Sequence, residues 1–432
     1  MTRGRRVIMA TGGSLGDLHP FLAVGKRLQR LGLDVDVATS ADYRLKVEAE
    51  GLGFREVGTS VAKLEAALGM DRKAITTAVM RSNRFLFERI VLPSVEEATR
   101  AMIAASETAD VIVGHSFAVG ARIAAERLRL PYVPVALQPM TVFSAYDPPF
   151  LPLAPWLRPA SGGASLALNQ STLATLRLGS SGWTRTLNRI RHRLGAGPSP
   201  GDMIFDALRH SPLALGLYSP LLSALQPDAP PNFHVIGHPA YDSENAGPPA
   251  LTASLEAFLN AGDAPLVFTL GSAVVQVPGD FYTESVKAAR RLARRAVMLV
   301  GPEGDLSVGG ESADIHVARY APFSLLFPRA AAIVHQGGVG TTHQALQSGR
   351  PQLVVPHLGD QHDNAARVVR LGCAAILARS AYRSAAIAQK LEALLQSPAL
   401  MSRAKSLAEM AREEDGAGAA AELIAGMVRN AI

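Results

Sequence analysis

His335-Gln-Gly-Gly-Val-Gly-Thr-Thr342 stands between two readable elements. Ahead of it, Ala331-Ala-Ile-Val334 is a short β-prone apolar run of the kind that forms a buried parallel strand. Behind it, Thr341 to Ser348 has the polarity and length of a helix, with Gly349 at a C-cap position. The glycines therefore fall where a strand turns into a helix. Backbone N–H groups converge at such a turn, and the helix dipole adds about half a positive charge. The pattern predicts a phosphate site. Gly337, Gly338 and Gly340 suit it, because a Cβ would hold the anion off the backbone and some φ angles there must be positive. A tight turn without ligand is the plainer alternative, and His335 in front with Asp360-Gln361 behind argues against it.

Outward from this turn the strand–helix alternation continues. In the second half, residues 266–270, 296–300, 315–318, 332–335 and 352–355 read as strands. In the first half, strands are expected at 5–11, 32–38, 110–114 and 132–137, with a short one within 48–58, and Phe233-His-Val-Ile-Gly237 closes that half. A Gly-rich turn at 12–17 leads to a helix from about Pro20 to Leu31, and residues 61–106 read as one long helical region. Such alternation predicts an α/β chain of doubly wound parallel sheets, with sites at the carboxyl ends of strands. From Gln138 to Pro200 the pattern dissolves into Pro, Leu, Ser and Gly, interrupted by the basic amphipathic helix Trp183–Leu194. The tail from Met401 reads as Ala-rich helix broken near 415–418.

A chain of 432 residues exceeds what one hydrophobic core usually serves, so two domains are expected. With 48% hydrophobic and 19% charged residues, there is apolar material for both. The single cysteine, Cys373, excludes an internal disulfide framework and a cysteine metal cluster, and suits a reducing cytoplasm. No apolar run approaches about 18 residues, so no membrane span is expected. The net charge of +6 lies wholly in residues 1–242, which hold 26 Lys and Arg against 20 Asp and Glu. Without an aromatic-interleaved basic stripe, nucleic acid is not an expected partner. Peripheral contact with an anionic inner membrane face through the 183–194 helix is one reading, and a helix packed on its own domain is the other. Asp34-Val-Asp36 spells D-x-D, but alternation in a strand explains it better than metal binding.

Several of these stretches resemble one family. A His before a Gly-rich turn, then Gly349-Arg-Pro351 and Asp360-Gln361-x-x-Asn364, is similar to the donor signature of GT-B nucleotide-sugar glycosyltransferases, the UDP-glycosyltransferase superfamily. Gly13-Ser-Leu-Gly-Asp-Leu-His-Pro20 resembles the start of its bacterial and sterol-type glucosyltransferase branch. Ser144–Pro149, Pro265–Ser272, Gly279–Tyr282, Tyr320–Pro322 and Asp363–Cys373 resemble rhamnolipid-type rhamnosyltransferases. The resemblance implies two Rossmann-like domains with an interdomain cleft. It gives an acceptor-binding domain over 1–240, a linker over 241–264, a donor-binding domain over 265–410, and a C-terminal helix over 411–432 that crosses back.

It also implies roles. Ser272, His335, Gly337, Gly338, Gly340, Thr341 and Thr342 would hold the donor diphosphate, Tyr320 and Ala321 its base, and Asp360 and Gln361 the hydroxyls of its hexose. No metal is then required, and the co-substrate is a UDP- or dTDP-hexose, glucose or rhamnose. Where many relatives carry the Glu that holds the ribose, this chain has His343, which leaves UDP and dTDP both open. Phe143, Tyr146, Phe150 and Trp156 read as an apolar wall for a hydroxylated lipid, sterol, carotenoid or aromatic acceptor. Asp17 falls where relatives place the base, His115 where its partner stands, and His19 is the third candidate in the turn. The alternatives are a nucleotide-sugar epimerase of the same fold and a non-catalytic sugar-nucleotide binder. A nicotinamide oxidoreductase is disfavoured, because Gly12-Gly-Ser-Leu-Gly16 is not G-x-G-x-x-G.

Overall fold

The computed structural model describes residues 5–243, 247–310 and 312–430. Its chain divides into two units, 1–241 with 415–432, and 242–414. In the first unit the strands are β1 (Arg6–Ala10), β2 (Asp34–Thr39), β3 (Gly53–Glu56), β4 (Val111–His115), β5 (Tyr132–Ala136), β6 (Ala214–Gly216) and β7 (Phe233–Val235). They form one parallel sheet in the order β3-β2-β1-β4-β5-β6-β7. Side chains alternate between its faces, as the two-residue period of a strand requires. Val7, Met9, Val35, Val37, Val111 and Val113 enter one core, while Ile8, Ala10, Ala38 and Ile112 enter the other. Both faces are covered, which is why these strands read as continuous apolar runs.

The first core is closed by the Leu15–Arg30 helix and by the chain's last helix, Gly416–Asn430. Ala417, Ala420, Ala421 and Ala425 let that last helix approach closely, with Ile424 and Val428 filling the core between them. The Leu15–Arg30 helix starts a full turn before Pro20, which corrects the sequence expectation. Ser14 caps it, accepting from Gly16 N, and Asp17 completes a capping box. Pro20 is therefore inside the helix, where it forfeits one early backbone bond.

The expected helical region 61–106 is built of several consecutive helices, with a π-helical stretch at Leu86–Val91 before the Leu92–Ala105 helix. The 138–200 stretch contains a second helix, Gly163–Gly179, ahead of the basic one, observed at Ser181–Arg193.

The second unit has β8 (Leu266–Thr269), β9 (Ala296–Leu299), β10 (Ile315–Ala318), β11 (Ala332–His335), β12 (Gln352–Val354) and β13 (Ala374–Ile376). All pairings are parallel, in the order β10-β9-β8-β11-β12-β13. Each sheet thus reverses its winding once, between β1 and β4 in the first and between β8 and β11 in the second. Open α/β sheets bind ligands at the carboxyl ends of the strands flanking that reversal.

Candidate functional site

The chain leaves β11 through His335 and enters the Val339–Ser348 helix, two residues earlier than the sequence suggests. His335 is fully buried. Its Nδ1 accepts from Gly337 N at 3.1 Å, so the proton sits on Nε2, which faces Gln352 Oε1 at 3.0 Å. Both ring nitrogens are thereby engaged within the unit, and in this arrangement His335 shapes the turn instead of presenting a donor outward. Gly337 has φ +89°, and a Cβ there would stand 2.9 Å from Val354 and 3.0 Å from the Gln361 carbonyl. Gln336, which the sequence reading passed over, is 3% exposed and lays its amide against Gly271 at the end of β8 and against Gly338. That side chain ties the two strand ends of the winding reversal together.

Gly338 caps the Val339–Ser348 helix without any side-chain hydrogen bond. A Cβ on Gly340, in the first turn, would meet nothing within 4 Å. Thr341 is 8% exposed, Thr342 is fully buried, and Thr342 Oγ1 has no partner among the described residues. Ser272 is exposed at the start of the short Gly271–Val274 helix that follows β8. An open helix N-terminus, an unpartnered hydroxyl and a positive macrodipole end together form an anion cradle.

A second loop braces this turn. Asp360 precedes the Gln361–Arg370 helix, and its Oδ2 accepts from Asn364 Nδ2 at 2.7 Å. The same Asn364 amide donates to the Gly337 carbonyl at 3.0 Å. Asn364 thus couples the acidic residue to the glycine turn. Gln361 turns its Oε1 inward, accepting from His357 N and Leu358 N, so only its amide nitrogen remains for a ligand. Below them Arg367 and Asp363 form a fully buried ion pair at 2.7 Å. Tyr320 has its hydroxyl 3.3 Å from Asp242 Oδ1, and Asp242 also accepts from Ser324 N. Ala321 is buried in the core beside Phe327. His343 is 2% exposed, with Nδ1 2.7 Å from the Val339 carbonyl, which places the proton on Nδ1.

Three of these histidines are held neutral. Burial lowers His335 from 6.5 to about 4, with the Gln352 bond opposing. Burial likewise lowers His343 to about 4 against the Val339 carbonyl. His357 falls to about 4 by burial, against the Val355 carbonyl. In the unfolded chain these rings protonate near 6.5, so between 6.5 and 4 the unfolded state holds more protons. Stability is therefore complete above the unfolded value and is lost as pH falls through the window, at up to about 1.4 kcal/mol per pH unit per ring. The melting temperature should drop steeply from pH 6.5 to pH 4. His343→Gln should show a shallower fall; a flat profile in the native chain would mean the rings are not buried neutral.

In the first unit the corresponding reversal has Asp17 in the first turn of the helix that follows β1, and His115 as the last residue of β4. Asp17 Oδ2 accepts from Ser14 N at 2.7 Å and lies 3.2 Å from Ser14 Oγ. Gly13, at φ +123°, admits it, since a Cβ there would sit 2.4 Å from that oxygen. Tyr43 donates to the Gly13 carbonyl at 3.0 Å and pins the turn. His115 is fully buried, and neither ring nitrogen makes a hydrogen bond of normal geometry among the described residues. Burial lowers its pKa, while the Asp17 charge and the adjacent Gly12 backbone act in the opposite direction. A neutral imidazole thus lies within reach of the Asp17 field. His19 faces elsewhere. Two residues along a helix is more than half a turn, and its ring packs on Tyr241 at 4.6 Å, with burial and Lys46 lowering its pKa to about 3.

The loop after β5 is firmly held. Asp228 accepts from Ser144 Oγ and Ala145 N, and Asn169 donates to the Ala145 and Arg158 carbonyls. Phe143, with φ 55°, packs on Phe205 at 4.4 Å. Tyr146 and Phe150 are half-buried, whereas Trp156 is 51% exposed and hydrogen-bonded to Thr172. The Ser181–Arg193 helix turns Leu187 and Ile190 inward to pack with Val95, so its apolar stripe is used inside the fold.

Comparison with known proteins agrees with this geometry. Residues 7–141 match the glycosyltransferase family 28 N-terminal domain, and residues 304–425 match the erythromycin biosynthesis protein CIII-like C-terminal domain. The chain is 30% identical to a vancomycin aglycone glucosyltransferase of Amycolatopsis orientalis, covering 85% of this chain and 84% of that one. It is 30% identical to an O-mycaminosyltylonolide 6-deoxyallosyltransferase of Streptomyces fradiae, covering 97% and 96%. The solved glycotransferase of kitacinnamycin superposes with a TM-score of 0.73 at 22% identity, covering 99% of this chain and 100% of that one. The chain belongs to the GT-B glycosyltransferases of the UDP-glycosyltransferase superfamily.

Proposed function

We propose that this glycosyltransferase moves a hexosyl group from a UDP- or dTDP-sugar to a hydroxyl of an apolar acceptor, with inversion and without a metal. The observation that carries the donor half is the uncapped, open N-terminus of the Val339–Ser348 helix with the unpartnered Thr342 hydroxyl beneath it. Backbone N–H groups and the helix dipole there stabilise the diphosphate as it leaves. Thr341, Thr342 and Ser272 add hydroxyl donors. Asp360 and the amide nitrogen of Gln361 address the sugar hydroxyls. In the other half, Asp17 takes the acceptor proton as the acceptor oxygen bonds to the anomeric carbon and the bond from that carbon to phosphate breaks. His115, neutral beside it, orients the carboxylate. Two of the 30%-identical relatives are named as a glucosyltransferase and a 6-deoxyallosyltransferase, which supports a hexosyl donor.

The test is a panel of UDP-glucose, dTDP-glucose and dTDP-rhamnose against sterol, hydroxyacyl and phenolic acceptors in excess chelator, read by mass spectrometry. The expected product carries one added hexose. Turnover lost in chelator and restored by magnesium would overturn the metal-free reading. Conversion of the donor into another sugar nucleotide would favour the epimerase. We infer also that any membrane attachment through the Ser181–Arg193 helix is chiefly electrostatic, because its Leu187 and Ile190 are already packed. Binding to anionic vesicles should then vanish at high salt.

A further inference from the structure

Phe117 follows β4 two residues after His115, and its ring meets the imidazole edge-on with centroids 5.3 Å apart. It remains 40% exposed, which a core aromatic would not be. Phe87, in the π-helical stretch Leu86–Val91, reaches the Phe117 ring at 6.2 Å. On its other side Phe87 stacks flat on Trp183, 4.6 Å away and 3° from parallel. Rings from three distant segments thus form one line that begins at His115. Phe87 and Trp183 are themselves only half-buried. π-Bulges occur often at functional sites, and here one carries Phe87.

The line ends at Trp183. Its Nε1 donates to Glu88 Oε1 at 3.2 Å, and Glu88 pairs with Arg84. Beyond the indole lies a groove of about 1060 Å³ whose lining includes Arg84, Glu88, Arg185, Arg189 and Arg193. An apolar body resting on the rings gains contact with each added carbon. Past the indole the same body would cover ion pairs and unneutralised guanidinium groups, which costs desolvation and returns no ring contact.

Resting on the reading of this chain as a transferase for apolar hydroxylated acceptors, we propose that Phe117, Phe87 and Trp183 are the rail along which the acceptor body lies, and that the Trp183–Glu88 contact sets its longest favoured length. These are positioning and specificity residues, outside the bond-making step.

The test uses para-alkylphenols from methyl to dodecyl with whichever nucleotide sugar the native enzyme turns over. Native kcat/KM should rise by about fourfold per methylene, the value of one buried CH2, and then level at a limiting length. Phe87→Leu, which keeps an apolar side chain at its place, should lose about tenfold at the limiting length and little with the methyl compound. Trp183→Leu removes the last ring of the rail and leaves the guanidinium groups in place, so it should move the break to shorter chains. Nucleoside diphosphate titration and melting of both variants should match the native enzyme, which separates a lost rail from a lost fold. Native-like length profiles in both variants would overturn the rail while leaving glycosyl transfer intact. Failure of the native enzyme to convert any alkylphenol, with nucleotide still bound, would instead remove the acceptor class and the rail with it.

Discussion

Asp17→Asn should abolish glycosyl transfer while leaving the chain folded and the donor site intact. The carboxylate accepts from Ser14 N at 2.7 Å within the capping box of the Leu15–Arg30 helix. An asparagine oxygen preserves that bond, so the helix start survives; full loss of the cap would cost about 1 kcal/mol. What the amide cannot do is take a proton. Removing a general base lowers turnover by about a hundred- to ten-thousandfold. Nucleoside diphosphate binding should be unchanged, because the residues assigned to it belong to the other unit. His115→Ala should cost less than Asp17→Asn, since the imidazole acts through the carboxylate. His19→Ala should cost least, because its ring packs on Tyr241 and not on the Asp17 side. Near-native turnover by Asp17→Asn with an inactive His19→Ala would move the base two residues along the helix.

Gly340→Asp should bind no donor yet melt no lower than the native chain. Gly340 lies in the first turn of its helix with open space where a Cβ would stand, so the substitution meets no obstacle. Glycine costs a helix about 1 kcal/mol relative to alanine, and an acidic residue at the N-terminus gains about 0.3–1 kcal/mol from the dipole. The same carboxylate would confront the diphosphate. Like charges near 4 Å repel by about 4 kcal/mol at an effective dielectric of about 20. Calorimetric titration with UDP and dTDP should show affinity reduced at least a hundredfold, the effect of about 3 kcal/mol. If the glycines form only a tight turn, the variant will gain stability and bind nucleotide as before.

Much of this was legible in the sequence for physical reasons. Runs such as Val7–Ala10 and Ala332–His335 are buried on both faces, so their strand character shows as uninterrupted apolar residues. The glycine turns announce themselves because Gly13 and Gly337 hold φ angles that other residues rarely adopt. The start of the first helix was misplaced because Pro20 looks like a first-turn residue, while the true signal was the Ser14–Asp17 capping box. The Gly163–Gly179 helix was hidden by its Ser, Thr, Asn and Gly content, with little amphipathic contrast to betray it. β6 and β13, of three residues each, do not register as strands, whereas the equally short β12 shows through the longer run Gln352–Val355.

The site was legible by residue type more than by role. His335 and Gln361 were expected to face the donor, but the structure turns the first wholly, and the second partly, to bracing loops. Asn364 belongs to the Asp-Gln-x-x-Asn pattern, but only the fold reveals its role, an amide that joins Asp360 to Gly337. An Asp363–Arg367 pair four apart on a helix ordinarily reads as a solvated surface pair, and nothing local reveals that it is buried. The stack of Phe87 on Trp183 joins residues far apart in the chain, a contact that periodicity within either helix cannot register.

In the proposed reaction Asp17 deprotonates the acceptor as the diphosphate leaves in a single displacement. One displacement at the anomeric carbon must invert it. The most direct measurement is the anomeric configuration of the purified glycoside, read from its proton NMR coupling after turnover with a nucleotide hexose of known configuration. The expected product has the opposite configuration to that of the donor. A product that retains the donor's configuration would contradict it.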